Sequence, residues 1–341
     1  MLHFDCDYME GAHPLILQRL MLTNMEQTPG YGLDSYTESA RERIRQACAC
    51  PRADVHFLVG GTQTNATVIR GLLRPWEGVL AAETGHINVH ESGAIEAGGH
   101  KVIALPQTDG KVCADDVDRY ITRFYADATY PHMVAPGMLY ISHPTEYGTL
   151  YTLRELQGLS NVCRRHGIPL YMDGARLGYG LAAPGTDVAL ADIARLTDVF
   201  YIGGTKVGAL FGEAVVVARP DLLPHFFTLI KQHGALLAKG RLLGLQFDTL
   251  FTDDLYLHIA RHAVGLAMKL RRGFAERGYR FYIDSPTNQQ FVILSPADCE
   301  RLRREATFET WGTLDDGSLV VRFATSWATR ESAVDSLLAL L

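Results

Sequence analysis

Two polar residues follow short apolar segments of the sequence, where they could hold one ligand between them. Asp173 follows the segment Ile168–Met172, and Lys206 follows Val199–Ile202 after two glycines and Thr205. In open α/β sheets, ligands bind beyond the carboxyl ends of parallel strands. An acid and a lysine at two such ends, with room for one crossover helix between them, are placed to hold a pyridine ring from its nitrogen side and its aldehyde side.

Each of these two residues also has a simpler interpretation. Glycines on both sides of Lys206 let the backbone approach a ligand closely, and Thr205 offers a hydroxyl to a phosphate. The position after an apolar strand favours a lysine that binds a carbonyl cofactor covalently over a surface lysine. Asp173 ends a strand that should be buried, where a carboxylate needs a partner. That partner is either Arg176 or a protonated pyridine nitrogen, which acts as an electron sink.

A third candidate lies where the segment Val55–Val59 runs into G-G-T-Q-T-N-A-T. Small polar residues stand where a helix begins, so free N–H groups and the helix dipole would favour an anion such as phosphate. The spacings match neither a dinucleotide fingerprint nor a Walker loop. An ordinary strand–helix turn with a threonine cap is the alternative interpretation.

Histidine and arginine complete the set of candidate residues. His86 and His90 have the i,i+4 spacing of a helical zinc site, but the order is wrong for H-E-x-x-H. One of them could instead lie flat against a planar cofactor. Arg322 lies in the strand-like segment V-V-R-F-A-T-S-W and needs a carboxylate partner. That partner is either the α-carboxylate of an amino acid or a nearby acid such as Asp315 or Asp316.

The composition is that of a soluble globular protein, with 341 residues, 47% hydrophobic residues, 21% charged residues and a net charge of −6. This charge gives no reason to expect nucleic acid and argues against adsorption to a membrane. The six cysteines are scattered, which is more typical of reduced thiols than of disulfides. We see no secretory signal and no apolar run of membrane-spanning length, so we expect a cytoplasmic protein.

Seven apolar segments alternate with helical ones, which predicts an α/β fold with a mainly parallel, seven-stranded sheet covered on both faces. The predicted strands are Val55–Val59, Val79–Ala82, Val102–Leu105, Met138–Ser142, Ile168–Met172, Val199–Ile202 and Ala214–Ala218. Long helical segments and then short strands follow in the last third of the chain. We therefore expect an N-terminal arm and large domain over residues 1–240, and a smaller α+β domain over residues 241–341.

Taken together, these residues resemble the pyridoxal-phosphate-dependent family of threonine aldolases and β-eliminating lyases, which has the fold-type-I aminotransferase fold. The most specific motif is M-D-G-A-R-L, and the resemblance extends from D-C-D near the start to V-R-F-A-T near the end. It implies pyridoxal 5′-phosphate as the cofactor and a small amino acid as the substrate, and we expect no metal ion. It also implies a homodimer or homotetramer with active sites shared between subunits.

The resemblance assigns most of the candidates to the cofactor. Lys206 matches the residue that binds the cofactor covalently, and Asp173 matches the partner of the pyridine nitrogen. Arg176 would lie near the 3′-oxygen of the cofactor. Gly61 and Thr62 would hold its phosphate, like the glycine–threonine turn of the family.

Other residues would stack on the cofactor or contact the substrate. His86 matches the histidine that stacks on the ring, and Arg322 matches the arginine that binds the substrate carboxylate. Cys6 stands where the family usually has serine or threonine, so we expect it near the substrate. Tyr31 belongs to an N-terminal arm that is either a simple linker or a cover for a neighbour's site. His86 or His143 would take a proton from the substrate, although His143 aligns with the family's histidine only after a one-residue shift.

The implied reaction is retro-aldol cleavage of a β-hydroxy-α-amino acid, of the threonine or allo-threonine type, to glycine and an aldehyde. Arg322 would orient the Cα–Cβ bond perpendicular to the cofactor ring. Departures from the family pattern lie in the segments that choose the reaction, so β-elimination or transamination of another amino acid is the main alternative. A non-catalytic scaffold and a zinc hydrolase are two further alternatives.

Overall fold

A seven-stranded sheet covered by helices on both faces forms the centre of the protein. The structure is a computed structural model that describes residues 1–341. After a short strand β1 (Leu2–His3), the sheet contains β2 (Asp54–Leu58), β3 (Glu77–Ala82), β4 (Val102–Leu105), β5 (Ala135–Ser142), β6 (Leu170–Asp173), β7 (Val199–Gly203) and β8 (Glu213–Val217). Each strand overlaps one of the seven predicted segments, so the predicted set of strands is confirmed.

The direction of the strands brings their carboxyl ends to one edge of the sheet. The order across the sheet is β2–β8–β7–β6–β5–β3–β4. The strands from β7 to β4 pair in parallel, whereas β8 runs antiparallel to both β7 and β2. Six strands therefore point the same way, which confirms the mainly parallel sheet. Their carboxyl ends and the amino end of β8 meet at one edge, where ligands of such sheets bind.

Side chains at alternate positions of the strands enter two cores, one on each face of the sheet. Leu139 and Ile141 of β5 belong to one core, whereas Met138 and Tyr140 belong to the other. A strand that is buried on both faces requires this alternation of apolar side chains. The alternation also determines to which face a residue just beyond a strand end points.

The chain contains fourteen α-helices. They are α1 (Pro14–Leu22), α2 (Ser35–Ala47), α3 (Gly61–Leu72), α4 (His86–Val89), α5 (Ala94–Ala97), α6 (Ala114–Ala126), α7 (Leu153–His166), α8 (Leu177–Leu181), α9 (Leu190–Leu196), α10 (Phe226–Gln232), α11 (Arg241–Leu250), α12 (Leu255–Glu276), α13 (Pro296–Leu302) and α14 (Glu331–Ala339). Local sequence bounds α7: Thr152 and Glu155 form a capping box, and Gly167 ends the helix with φ of 68°. A helix suited to crossing a lipid bilayer is not among them.

A second, antiparallel sheet forms the core of the smaller C-terminal domain. Its strands, in the order β12–β13–β10–β9, are β9 (Arg280–Phe281), β10 (Gln289–Leu294), β12 (Glu309–Thr313) and β13 (Leu319–Ala324). The short strand β11 (Ala306–Thr307) pairs in parallel with β1 near the N-terminus. The presence of this smaller sheet domain agrees with the predicted α/β architecture.

The chain passes from the core of the large domain to the core of the small domain at a different point from the border that we expected at residue 240. The helix α11 packs into a core of the large domain through Leu243 and Phe247. The helix α12 contributes Ile259 to that same core but Phe274 to the core of the small domain. The chain therefore changes domain inside α12. The change of pattern at residue 240 marks a new run of helices, which a sequence cannot distinguish from a change of core.

Candidate active site

The polar residues at the common edge of the central sheet line one open cavity. All seven residues that we predicted as cofactor contacts lie in its lining: Gly61, Thr62, His86, Asp173, Arg176, Thr205 and Lys206. Three further acids, Glu91, Glu146 and Glu213, lie there too. The residues come from loops that follow five different strands and from the start of β8, so only the parallel sheet unites them.

Asp173 is held by hydrogen bonds on both of its oxygens. Oδ2 accepts from Tyr140 Oη at 2.7 Å and from Asn65 Nδ2 at 3.0 Å, and Oδ1 accepts from Tyr201 Oη at 2.5 Å and from a backbone amide at 2.9 Å. Burial by itself would raise the pKa of Asp173, but the charge of His86 and these hydrogen bonds outweigh it and lower the pKa. The carboxyl group is therefore ionised at neutral pH and can pair with a cation in the cavity.

The three side chains that hold Asp173 were not among the candidates predicted from the sequence. The strand pattern does indicate tyrosines on this face of the sheet, because residues two apart on a strand share a face and Tyr171 lies two before Asp173. Tyr140 pairs with Tyr171 across β5 and β6, so it lies on the same face. Asn65 lies one turn after Gly61 in α3, where its buried side chain reaches Asp173. This contact joins residues 108 apart in the chain and has no local signal.

Arg176 pairs with Asp7 and not with Asp173, which corrects one of our two interpretations of Asp173. Its Nε and Nη2 donate to the two oxygens of Asp7 at 2.7 Å and 3.0 Å. Burial would raise the pKa of Asp7, but the adjacent Arg176 guanidinium outweighs it and holds the pKa well below its usual range. Asn288 donates to the same carboxylate at 2.9 Å. The N-terminal segment thus brings an acid from 169 residues away to the arginine.

Lys206 extends into the cavity, and its ammonium group makes no hydrogen bond or ion pair within the chain. Its Nζ lies 5.9 Å from the centre of the Tyr8 ring. Burial and the nearby charge of Arg176 lower the pKa of Lys206. The amine therefore loses its proton at a lower pH than an ordinary lysine, which is what a nucleophilic lysine requires.

Thr205 turns its hydroxyl group towards Glu213, so the hydroxyl proton is used in a hydrogen bond within the chain. The hydroxyl donates to Glu213 Oε1 at 2.9 Å, and the amide of Gly204 donates to Oε2 at 3.1 Å. Burial raises the pKa of Glu213. The sequence could not show this contact, because Glu213 reaches this edge only since β8 runs antiparallel to its neighbours.

The helix α3 begins directly at the cavity. The residue before it, Gly60, makes no side-chain capping hydrogen bond, so the N–H groups of the first turn have no cap. A Cβ at Gly61 would make a tight contact with the Tyr201 hydroxyl, at 3.3 Å. Uncapped amides, the helix dipole and the Thr62 hydroxyl together make a position that suits a phosphate group.

His86 stands in the wall of the cavity, and Glu91 orients its ring. His86 Nδ1–H donates to Glu91 Oε1 at 2.7 Å, and Asn65 donates to the same oxygen at 2.7 Å. The ring of His90 lies 5.5 Å from that of His86 and 6.3 Å from that of Trp311. No group of three or more His, Cys, Asp or Glu side chains converges in the geometry of a metal site.

His143 does not face the cavity, which corrects our expectation that it acts as a base. It follows Ile141 by two residues, so its ring points to the core that contains Ile141, on the face of the sheet opposite to Asp173. The ring is fully buried beside Tyr151, with 6.4 Å between ring centres, and neither nitrogen has a hydrogen-bond partner. Burial lowers the pKa of His143 to about 4. The one-residue shift needed to align it with the family's histidine is the shift that reverses the face.

Arg322 of β13 does not line the cavity, although the charge of Arg176 in the lining acts on it, and its side chain is only 10% exposed. Its guanidinium forms an ion pair with Glu309 and donates to the backbone oxygen of Asp5 at 3.0 Å. Glu309 faces Arg322 across the β12–β13 pair, so Asp315 and Asp316 are not its partners. The Glu309 side chain is 48% exposed. An incoming carboxylate could therefore displace it from Arg322 into solvent.

Cys6 and Tyr31, the two other predicted substrate contacts, lie outside the cavity lining. Cys6 is half-buried in the N-terminal segment, where burial raises the pKa of its thiol. Tyr31 lies on the surface of the chain, 43% exposed, with Lys231 Nζ 4.7 Å from its ring centre. Tyr8, two residues after Cys6, lines the cavity instead. A role for Tyr31 requires the site of a neighbouring subunit.

The fold and the site together define the class of the protein. The sheet order, the smaller C-terminal domain, and an acid and a lysine at neighbouring strand ends are those of fold-type-I pyridoxal-phosphate enzymes. The aspartate aminotransferase of Thermus thermophilus shares this fold, with a TM-score of 0.74 at 15% identity over 100% of this chain and 90% of that one. More particularly, the chain belongs to the beta-eliminating lyase family, whose model matches residues 14–294.

Relatives within this family resemble the chain over its full length. A low specificity L-threonine aldolase of Pseudomonas aeruginosa is 31% identical over 96% of this chain and 93% of that protein. A solved structure of Leishmania major threonine aldolase has a TM-score of 0.96 and 44% identity, over 100% of this chain and 98% of that one. The family resemblance recognised in the sequence is therefore confirmed.

Proposed function

We propose that the protein binds pyridoxal 5′-phosphate and cleaves β-hydroxy-α-amino acids of the threonine type to glycine and an aldehyde. The observation that carries this proposal is the pair of Lys206 and ionised Asp173 in one cavity, with the largely buried cation Arg322 on β13 close enough to Arg176 for their charges to interact. The full-length similarity to proteins named as threonine aldolases supports this reaction over other reactions of the same fold.

The residues present fit the proposed cofactor. The uncapped start of α3 with Gly61 and Thr62 suits its phosphate, Asp173 suits its protonated pyridine nitrogen, and the Lys206 amine suits its aldehyde. When bound, this cofactor supplies a cationic ring that accepts an electron pair from a bond broken at the substrate Cα. His86, held by Glu91, is placed as a wall for the ring.

The small domain supplies the residue that we propose binds the substrate carboxylate. Arg322 has a planar fork that suits an α-carboxylate. In the structure Glu309 already pairs with this fork, and Trp311 covers it with its ring centre 5.5 Å from the guanidinium carbon. A substrate carboxylate would take the place of Glu309. Fixing the carboxylate fixes the direction of the Cα–Cβ bond, which is the bond to be broken.

We also propose a homodimer or homotetramer in which subunits complete each other's sites. Exposed apolar residues are concentrated in α1 and the arm that follows it, with Met21, Leu22, Met25 and Leu33 exposed by 80%, 75%, 88% and 69%. An exposed apolar surface of this kind is typical of an interface. Tyr31 lies in the same arm. Sedimentation of the purified protein measures the assembly, and a monomer with full activity would contradict the proposal.

Purified protein reconstituted with pyridoxal 5′-phosphate tests the proposed function directly. We expect glycine and acetaldehyde to form in equal amounts from threonine or allo-threonine. Pyruvate and ammonia would show β-elimination, and exchange with a keto acid would show transamination. A protein that binds the cofactor and cleaves neither amino acid would contradict the proposal.

The substitution Arg322→Lys should raise KM for the amino acid with a smaller effect on kcat. A lysine lacks the bidentate fork, and a lost hydrogen bond to a charged group costs about 1.5–3 kcal/mol, or roughly 10- to 100-fold in KM. Initial-rate kinetics with threonine measure both constants. Glu309→Gln should lower KM, because the competing carboxylate is removed. Asp316→Asn, which alters an acid paired with Arg280, serves as the control and should leave KM unchanged.

The substitution Thr62→Ala should weaken cofactor binding by about 3- to 10-fold, because one hydrogen bond contributes roughly 0.5–1.5 kcal/mol. Equilibrium titration of the apoprotein with pyridoxal 5′-phosphate measures the dissociation constant. Thr108→Ala removes the hydroxyl of an exposed threonine outside the cavity and is the matched control. Equal affinities in the two variants would rule out a phosphate contact from Thr62.

A further inference from the structure

Four acids line the cavity, and only Glu146 presents an unbonded carboxylate oxygen to it. Asp173 and Glu213 accept hydrogen bonds on both oxygens. Glu91 binds His86 and Asn65 with one oxygen, and its other oxygen is buried away from any partner. Glu146 accepts both of its hydrogen bonds on Oε1 and leaves Oε2 open in the lining. Glu146 is thus the cavity acid that is free to exchange a proton with a ligand.

The bonds to Oε1 give the carboxyl group of Glu146 a defined direction. The backbone amide of His86 donates to Oε1 at 2.8 Å, and the Ser142 hydroxyl donates to it at 2.7 Å. Both donors belong to the same strand-end edge as the rest of the cavity. Glu146 therefore stands next to His86, on the wall where the ring of the proposed cofactor would lie. Its side chain makes no ion pair, so no cation holds it permanently in the charged form.

A chain of hydroxyl groups connects Glu146 to Asp173. Tyr140 Oη donates to Asp173 Oδ2 at 2.7 Å and lies 3.1 Å from Ser142 Oγ, which binds Glu146 Oε1. While Ser142 donates to an ionised Glu146, no hydroxyl proton remains for the contact between Ser142 and Tyr140. A proton on Oε1 can be donated to Ser142, which can then donate to Tyr140, so this neutral form completes every hydrogen bond in the chain. A proton taken up on Oε2 leaves the donation from Ser142 to Oε1 unchanged.

We propose that Glu146 is the catalytic residue that takes the β-hydroxyl proton of the substrate, an assignment that rests on the proposed function. Glu146 Oε2 accepts this proton, and the electron pair of the broken O–H bond forms the C=O bond of the departing aldehyde. The electron pair of the broken Cα–Cβ bond stays with the glycine fragment, which takes up one proton from solvent at Cα, while Glu146 releases its proton to solvent. In the reverse direction Glu146 returns its proton to the new hydroxyl group.

The electrostatics of the site agree with this role. Burial raises the pKa of Glu146, so its affinity for a proton is closer to that required of a base near neutral pH. The alternative base is His86, but its Nδ1 already binds Glu91 and its ring is the expected wall for the cofactor. His143 lies behind the sheet and cannot reach a ligand in the cavity.

The test compares Glu146→Gln with the wild type and with Glu83→Gln, the same change at an exposed acid after β3. Two reactions of each holoenzyme are measured: cleavage of threonine, and exchange of the glycine Cα proton with deuterated water followed by NMR. Glycine has no β-hydroxyl group, so its exchange does not need the proposed base. We expect Glu146→Gln to lose about 10²- to 10⁴-fold in cleavage and to keep its exchange rate within a few fold. Glu83→Gln should keep both rates.

Each other outcome overturns the assignment in a recognisable way. Full cleavage by Glu146→Gln would show that another group takes the proton. Equal loss of cleavage and exchange would show that Glu146 only maintains the structure of the site. A wild-type protein that exchanges glycine but cleaves neither threonine nor allo-threonine would overturn the proposed function itself, and the assignment with it.

Discussion

Replacement of Lys206 by alanine is expected to abolish cleavage of the amino acid while the protein stays folded and still binds the cofactor. Lys206 is the only lysine in the cavity lining, and burial lowers its pKa, which increases the fraction of neutral amine. The substitution removes both the covalent attachment and a group that can transfer protons. The loss of cleavage rate should therefore be at least about 10²- to 10⁴-fold. The visible absorption band of the lysine–cofactor bond should disappear.

Borohydride treatment of the wild type gives a second, independent measurement. It should fix the cofactor to one peptide, which mass spectrometry should map to Lys206. Lys101→Ala, a change at an exposed lysine, is the control and should keep the band and the activity. A Lys206→Ala protein that retains the band would show that another amine binds the cofactor.

Replacement of Asp7 by asparagine is expected to give the largest loss of stability of any substitution considered for this protein. Asp7 is fully buried and forms a bidentate ion pair with Arg176. Removing one partner leaves a buried, uncompensated charge, which costs about 3–5 kcal/mol in the free energy of unfolding. Urea denaturation followed by circular dichroism measures this change. Asp116→Asn breaks an exposed ion pair with Arg119 and should cost no more than about 1 kcal/mol.

The same ion pair predicts how stability depends on pH. The folded-state pKa of Asp7 is lowered, so its contribution to stability is fully present above the unfolded value of about 3.9. That contribution is lost as the pH falls through and below this value, because the carboxylate must be protonated. The free energy of unfolding of the wild type should therefore fall more steeply below pH 4 than that of Asp7→Asn. Equal slopes would show that folding does not lower the pKa of Asp7.

Family membership and the central sheet could be predicted from the sequence because their signals are local. The seven apolar segments have the length and spacing of buried strands, and M-D-G-A-R-L stands at the end of one of them. Parallel strands bring such ends to one edge, which grouped Asp173 with Lys206, and the family resemblance added the other expected cofactor contacts. The face to which a residue points needs the register of its strand, and His143 shows that an error of one residue moves a side chain to the other core.

The sequence by itself determined the strands, the edge at which they end and the residue types that meet there. Only the tertiary structure decided the pairing: Asp7 with Arg176, Glu309 with Arg322, Thr205 with Glu213, and Glu146 with Ser142. The physical reason is that periodicity belongs to the local backbone, whereas the partner of a charge depends on where distant segments pack. Asp173 and Lys206 thus mark the site in the sequence, and the packed chain determines which acids remain free to react in it.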